Sequence, residues 1–400
     1  MASTASCHRV WHDPYEFKDG KMEFHNIKNK LEAREKMLRG EWPGRGCEHC
    51  KLTEQAGGHS DRMSHLDMPG VTAPKELEQD QKAVNVTPTQ LEIYFSNTCN
   101  LKCMYCNGKF SSTIDNENRI HGRFVYGDAS DVGNHVYIPE QLELNPNIER
   151  DTDKLFDWLE QNIKDLNKVM ILGGEPFLQK ETERLIRLLE ETHNPNLTLV
   201  VFSNLTVDPL RVQKWLARMW KLVEDGRINH MQVAGSLDCW GPQAEYVRNG
   251  LDLKKFSDNF EFILNKTKIT PSINSAMTAL TIPTLPDLME RVNAWSKTRE
   301  VYWSGMKAGD EHRLFLHPTI FGPDIVPFGL QRALDIFETN GDKIKVLQKE
   351  NLKGILTECL NTQPDMKQQE LLKIYLTELD RRRNTDYKKL FPQIEGLLTK

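Results

Sequence analysis

The chain has 400 residues, 27% of them charged and 38% hydrophobic, with a formal net charge of -5. That length admits one large domain with extensions or two domains, and the acidic balance gives no global attraction for nucleic acid, so no nucleic-acid partner is expected. No apolar run approaches the roughly 20 residues that span a bilayer, and the amino terminus lacks the apolar core of a signal peptide, so no membrane association is expected either.

Asn29 to Arg39 is rich in helix formers, and Gly40-Glu41-Trp42-Pro43 ends that stretch before Cys47-Glu48-His49-Cys50. Two residues between cysteines suit metal binding. The pair alone leaves an auxiliary iron-sulfur cluster, zinc and unmetallated thiols open.

Leu91, Ile93 and Phe95 alternate with Gln90, Glu92 and Tyr94, which predicts a strand over 90–95. The run Ser96-Asn97-Thr98-Cys99-Asn100-Leu101-Lys102-Cys103-Met104-Tyr105-Cys106-Asn107 follows it, placing a Cys-x3-Cys-x2-Cys loop after a strand, where α/β folds bind ligands. Three thiolates so spaced can wrap one face of a cubic iron-sulfur cluster and leave the fourth iron open to a small molecule. A zinc site would want a fourth Cys or His nearby, which the loop lacks, and buried structural thiols are the remaining reading. Residues 108–148, with Phe110, Phe124, Tyr126 and Tyr137, are too long for an ordinary βα connection and read as a substrate-covering insertion or a mobile loop. Helical periodicity resumes over 151–165 through Leu155, Trp158, Leu159 and Ile163.

The apolar run Lys168 to Leu172 enters Gly173-Gly174-Glu175-Pro176, a turn whose glycines allow close backbone approach. The Glu175 carboxylate or neighbouring carbonyls can accept hydrogen bonds from an ammonium group. Leu197 to Phe202 and His230 to Asp238 read as further strands, and Leu210, Val212, Trp215, Leu216 and Trp220 mark an amphipathic helix between them. Strand, helix, strand with short connections is the pattern of a parallel sheet or open barrel. Thr278–Ile282 and Arg313–His317 read as its last strands. After Pro327 the pattern is helical, with Leu371, Leu372, Ile374, Tyr375 and Leu379 on one face and Arg381-Arg382-Arg383 as a solvated end or a grip for an acidic partner.

Through Cys99, Cys103, Tyr105 and Cys106, and then Gly173 to Pro176, residues 88 to 320 resemble the radical S-adenosylmethionine (radical SAM) superfamily. The resemblance implies a partial (β/α)6 barrel over 88–322, between an amino-terminal cysteine module (1–87) and a helical carboxyl-terminal extension (323–400). It implies an enzyme in which Cys99, Cys103 and Cys106 hold a 4Fe-4S cluster that cleaves SAM to a 5'-deoxyadenosyl radical. The same resemblance places Tyr105, Gly173, Gly174, Glu175, Pro176, Ser203, Asn204, Ser236 and Asp238 around SAM and Arg248 on its carboxylate. An electron donor such as flavodoxin or ferredoxin is implied as partner. Cluster chemistry requires thiolates, so a reducing cytoplasm is the expected compartment.

Trp42, Cys47, Cys50, Glu54, Gly57, Ser60 and Arg62 look like the segment preceding the core in relatives that carry SPASM or twitch-type auxiliary clusters. Cys7 is then a candidate third ligand, with Cys359 and Cys239 as candidates for a fourth. Cys239 is alternatively a hydrogen-atom donor to a substrate radical, or a buried small hydrophobe. This resemblance favours a peptide or protein side chain as substrate. A small metabolite or carbohydrate is the alternative, and a noncatalytic iron-sulfur or zinc scaffold is the reading from another class.

Overall fold

The computed structural model describes residues 3–7, 12–18, 20–44, 46–55, 60, 62–63, 86–122, 124, 146–308, 313–340, 344–346 and 349–399. They fall into two compact units, Met1–Gln90 with Glu143–Leu166, and Leu91–Leu142 with Asn167–Lys400. Of the insertion expected over 108–148, residues 125–145, with Tyr126 and Tyr137, lie outside the described residues.

The first unit holds an antiparallel hairpin, Glu16–Lys18 with Lys21–Glu23, and the helices Lys28–Leu38, Glu48–Gln55 and Ile148–Asn162. The helix expected over 151–165 thus starts earlier and finishes as a 3-10 turn, Ile163–Asp165. Phe24 packs edge-on against Trp158 at 4.8 Å. The buried Lys30 ammonium donates to Thr4 Oγ1 (2.6 Å) and Phe24 O (2.7 Å), so two of its three N–H donors meet oxygen acceptors inside the unit.

The second unit is built on one sheet whose strands lie side by side in chain order: β1 Gln90–Tyr94, β2 Lys168–Leu172, β3 Asn194–Ser203, β4 Ile228–Ser236, β5 Thr270–Met277, β6 Val301–Lys307 and a short β7 Ile344–Val346. Neighbours from β2 to β7 are parallel. Parallel strands in sequential order require each crossover to pass the same face in the same hand, which winds the strip into the expected partial barrel. The crossovers are the helices Lys180–Glu191, Pro209–Glu224, Leu253–Lys266 and Leu285–Ser296. In Pro209–Glu224 the buried face is Val212, Leu216, Met219 and Leu222, while Leu210 is 81% exposed. Each such apolar side chain stabilises by roughly 1.5–3 kcal/mol, more than the ~1 kcal/mol of the Asp208 cap. Packing, rather than the cap, fixes where this helix sits.

The last strands differ from expectation. Thr278–Ile282 is a turn, because the Thr281 hydroxyl accepts from Thr278 N (2.7 Å) and Ala279 N bonds Leu316 O (2.9 Å), which removes both from any ladder. Arg313–His317 contains the 3-10 turn Leu314–Leu316. The strands in these places are β5 and β6. In β5, buried Ser272 donates to Val233 O and Ser275 to Leu237 O, so hydroxyls sit where apolar side chains are the rule.

The carboxyl-terminal helices belong to the second unit. Helix Met366–Arg383 starts at an Asp365 cap, ends at left-handed Asn384 (φ 53°), and buries Leu372, Tyr375, Leu376 and Leu379. Arg382 and Arg383 are buried, and Arg383 pairs with Glu117 at 2.9 Å. The arginine run is therefore neither a solvated helix end nor a grip for an outside partner, except at exposed Arg381.

Candidate functional site

The cysteine loop leaves the end of β1 and is tied down by helix Ser112–His121. Cys99 N donates to Ser112 Oγ (3.2 Å), while Ser111 Oγ and Thr113 Oγ1 both donate to Leu101 O (2.7 and 2.6 Å). A two-residue antiparallel ladder sets Cys103 opposite Arg248, and Met104 N donates to Val247 O (2.8 Å). The thiols of Cys99, Cys103 and Cys106 lie within electrostatic reach of one another. Burial pushes Cys99 and Cys106 up to about 12 and raises Cys103 as well. Thiolates there need a compensating metal charge. Among the described residues no three His, Cys, Asp or Glu side chains converge on a single-ion position. A cubic cluster asks for less convergence, since each thiolate takes a different iron.

The Gly-Gly-Glu-Pro turn runs edge to edge with this loop. Glu175 N donates to Thr98 O (2.7 Å) and Gly174 N to Phe110 O (3.2 Å). Gly173 and Gly174 have φ of 74° and 52°, and a Cβ on Gly174 would collide with Thr98 O, Gln179 Nε2 and Ser96 O. Only glycine lets these backbones approach so closely. Gln179, unmarked in the sequence reading, bridges the two motifs by donating to Ser96 O (3.2 Å) and Gly173 O (2.9 Å), and its Oε1 is buried without a partner.

Glu175 is 0% exposed, and its carboxylate accepts from Phe177 N (3.1 Å), Ser203 Oγ (2.8 Å) and Asn204 N (2.8 Å). Burial pushes it up to about 7 against these hydrogen bonds. The carboxylate thus braces the ends of β2 and β3, and Pro176 opens the buried turn Pro176–Leu178 beneath it. Ser203 Oγ also accepts from Leu205 N (2.9 Å), and Asn259 donates to Leu205 O (2.9 Å), which together hold Leu205 at a φ of 50°. Asn204 Nδ2 donates to Asn100 Oδ1 (2.9 Å), linking β3 to the cysteine loop.

Asp238, just beyond β4, is buried and accepts from Tyr105 Oη, Arg248 Nη2 and Ala276 N, each at 2.8 Å. Arg248 also reaches Cys103 Sγ (3.7 Å) and lies over the Tyr105 ring, and its Nε is buried without a partner. Ser236 ends β4, half-buried. Cys239 is 0% exposed, its thiol raised by burial and hydrogen-bonded to Thr284. A spacing of 83 residues between Gln179 and Ser96 leaves no local pattern that would have marked Gln179.

In the first unit, Cys47 precedes helix Glu48–Gln55 and Cys50 lies in its first turn, one turn apart on one face. Cys7 is within electrostatic reach of Cys47, as is Cys50. Beside them Ser60 and Arg62 both donate to Glu54, and Arg62 stacks 5.0 Å over Trp42. Gly57 lies outside the described residues. Cys359 belongs to the second unit, buried beside Glu358 and Lys307.

Residues 93–239 match the model of the radical SAM superfamily. Solved structures that resemble the chain include Streptococcus suis SuiB bound to S-adenosylmethionine (15% identity, TM-score 0.43, 75% of this chain and 60% of that one). SuiB bound to precursor peptide SuiA gives 14%, 0.39, 75% and 62%, and anSMEcpe with bound AdoMet and Kp18Cys peptide gives 17%, 0.37, 64% and 63%. The chain thus spans about three-fifths of the length of these solved chains. No curated protein matches it.

Proposed function

We propose, from the match of residues 93–239 to the radical SAM superfamily model, that the chain cleaves SAM reductively and uses the resulting radical to modify a peptide or protein side chain. When bound, the 4Fe-4S cluster supplies the electron that breaks the sulfonium bond and yields the 5'-deoxyadenosyl radical. Cys99, Cys103 and Cys106 hold the cluster. The carbonyls of the Gly173–Pro176 turn accept from the amino group of SAM, while Glu175, occupied by three donors, keeps that turn in shape. Asn204 and Ser236, at the carboxyl ends of β3 and β4, bind the ribose and methionine portions. Ser203 acts behind them by bracing Glu175, and Asp238 by orienting Tyr105 and Arg248. Arg248, with its unpartnered Nε, meets the SAM carboxylate.

The observation that carries this reading is the backbone pairing of Glu175 with Thr98 and Gly174 with Phe110, which sets a close-approach glycine turn against a three-thiol loop. A reductant such as flavodoxin or ferredoxin supplies the electron, and a reducing compartment keeps the thiols available. Support for a peptide substrate comes from the first unit, where Cys7, Cys47 and Cys50 gather beside the Trp42, Glu54, Ser60 and Arg62 clamp, the pattern of an auxiliary-cluster module.

Iron and sulfide analysis with electron paramagnetic resonance on anaerobically reconstituted protein tests the cluster assignment. The Cys99→Ala, Cys103→Ala, Cys106→Ala triple variant is expected to bind about four irons fewer than wild type. Equal iron in both proteins would refute it.

A further inference from the structure

Gln179 stands where two short elements meet. It closes the turn Pro176–Leu178, donating its own N–H to Pro176 O at 3.1 Å, and occupies the cap position of helix Lys180–Glu191. Ser, Thr, Asp and Asn serve best at such a cap, because a short side-chain oxygen reaches the free N–H groups of the first turn. The Gln179 side chain makes no cap bond. It turns away from its own helix instead and, at 3% exposed, spends both hydrogens of one amide nitrogen on Ser96 O (3.2 Å) and Gly173 O (2.9 Å). Its Oε1 is buried without a partner, and an unmet acceptor in the interior is destabilising. A side chain that neither caps its helix nor satisfies its own carbonyl is not explained by local stability.

What the amide joins is chemically specific. Gly173 O is one of the carbonyls assigned above to the amino group of SAM. It belongs to the peptide between two glycines at φ 74° and 52°, where no side chain restrains rotation. The N–H end of that peptide, on Gly174, donates to Phe110 O at 3.2 Å. Gln179 holds the other end, so the peptide plane is pinned on both sides and cannot flip. A carbonyl oxygen accepts through two lone pairs. The Gln179 bond takes one and sets the direction of the second, which stays open to an ammonium donor. Ser96 O lies just beyond β1, three residues before Cys99. Because both bonds start from one nitrogen, the spacing between the entry to the cysteine loop and the Gly173 carbonyl is fixed by a single side chain.

We infer that Gln179 is a positioning residue for SAM, which aims the Gly173 carbonyl at the amino group and ties it at a set distance from the cysteine loop. The inference rests on the SAM reading proposed above. It goes beyond that reading by assigning affinity for SAM, and not cluster assembly, to a side chain outside both motifs.

The test is SAM binding by equilibrium dialysis to anaerobically reconstituted, oxidised wild type, Gln179→Met and Gln179→Asn, with iron and melting temperature measured on each. Met keeps the volume and removes the N–H donors. Asn supplies a favoured helix cap and is one methylene too short to reach both carbonyls. Both variants are expected to load iron as wild type does and to bind SAM with a dissociation constant about tenfold higher, while Gln179→Asn melts no lower than Gln179→Met. Iron-loaded variants with the wild-type dissociation constant overturn the inference. So does a Gln179→Asn that binds SAM as wild type does while Gln179→Met does not, because helix capping would then be the cause. If only one variant loads iron, its dissociation constant decides, and loss of iron in both overturns the inference by placing the role of Gln179 in loop assembly. A wild type that loads iron and binds no SAM refutes the underlying reading instead.

Discussion

Glu175 shows how a residue can be legible in type and hidden in role. Its place in the Gly-Gly-Glu-Pro turn is readable from sequence, yet its carboxylate faces Phe177 N, Ser203 Oγ and Asn204 N, partners set only when β2 and β3 lie side by side. Folding raises it from 4.5 to about 7, so the native state holds the proton more tightly than the unfolded chain. Its contribution to stability is therefore present below pH 4.5 and lost as pH rises to 7, on the order of 3 kcal/mol at most. Denaturant titrations of wild type from pH 5 to 7.5 are expected to show this loss, and Glu175→Gln to lack it. The variant also turns an NH2 toward donors, costing about 1–3 kcal/mol at pH 5. Gly174→Ala places a Cβ against Thr98 O at a φ of 52° and is expected to lower the melting temperature and SAM binding together. A variant with wild-type melting and SAM binding would show that the two motifs do not approach as closely as described. Gln179 escaped the sequence reading because it has no motif and both its acceptors are backbone carbonyls, Ser96 O and Gly173 O.

At the scale of elements, strands with apolar alternation were readable and strands carried by neighbours were not. β2 and β3 bury Val169, Ile171, Leu199 and Val201, the signal that periodicity detects. β5 is Thr-Pro-Ser-Ile-Asn-Ser-Ala-Met, and its serines become tolerable only because Val233 O in β4, Leu237 O just beyond it and the Trp303 indole, at 3.0 Å from Ser275 Oγ, satisfy them. The Arg381–Arg383 run misled for the same reason, since its acidic partner, Glu117, lies 266 residues away on the helix beside the cysteine loop. Arg383→Met would leave that buried carboxylate with Lys102 alone, and breaking a buried pair costs about 3–5 kcal/mol. Equilibrium unfolding should show that loss, with exposed Arg381→Ala changing stability by no more than about 0.5 kcal/mol. A harmless Arg383→Met would mean that the carboxyl-terminal helix is not clamped to the loop.

For the molecule as a whole, the parallel sheet, the sequence of β1 to β4 and the placing of the cysteine loop after β1 were legible in the sequence, whereas β5 to β7 were not. Helix Ile148–Asn162 joins the first unit and the helices after β6 join the second, because burial partners rather than chain position assign them. The first unit carries its own testable chemistry. If Cys7, Cys47 and Cys50 hold an auxiliary cluster, wild type reconstitutes with about eight irons and Cys47→Ala, Cys50→Ala with about four; four in both would leave those cysteines to zinc or to plain thiols. Central to the account is SAM cleavage, and quantifying 5'-deoxyadenosine from anaerobic, reduced protein with SAM tests it most directly. Wild type is expected to form it and the Cys99→Ala, Cys103→Ala, Cys106→Ala variant to form none, whereas a fully iron-loaded wild type that binds SAM and yields no 5'-deoxyadenosine would contradict the account and mark the chain as a noncatalytic scaffold.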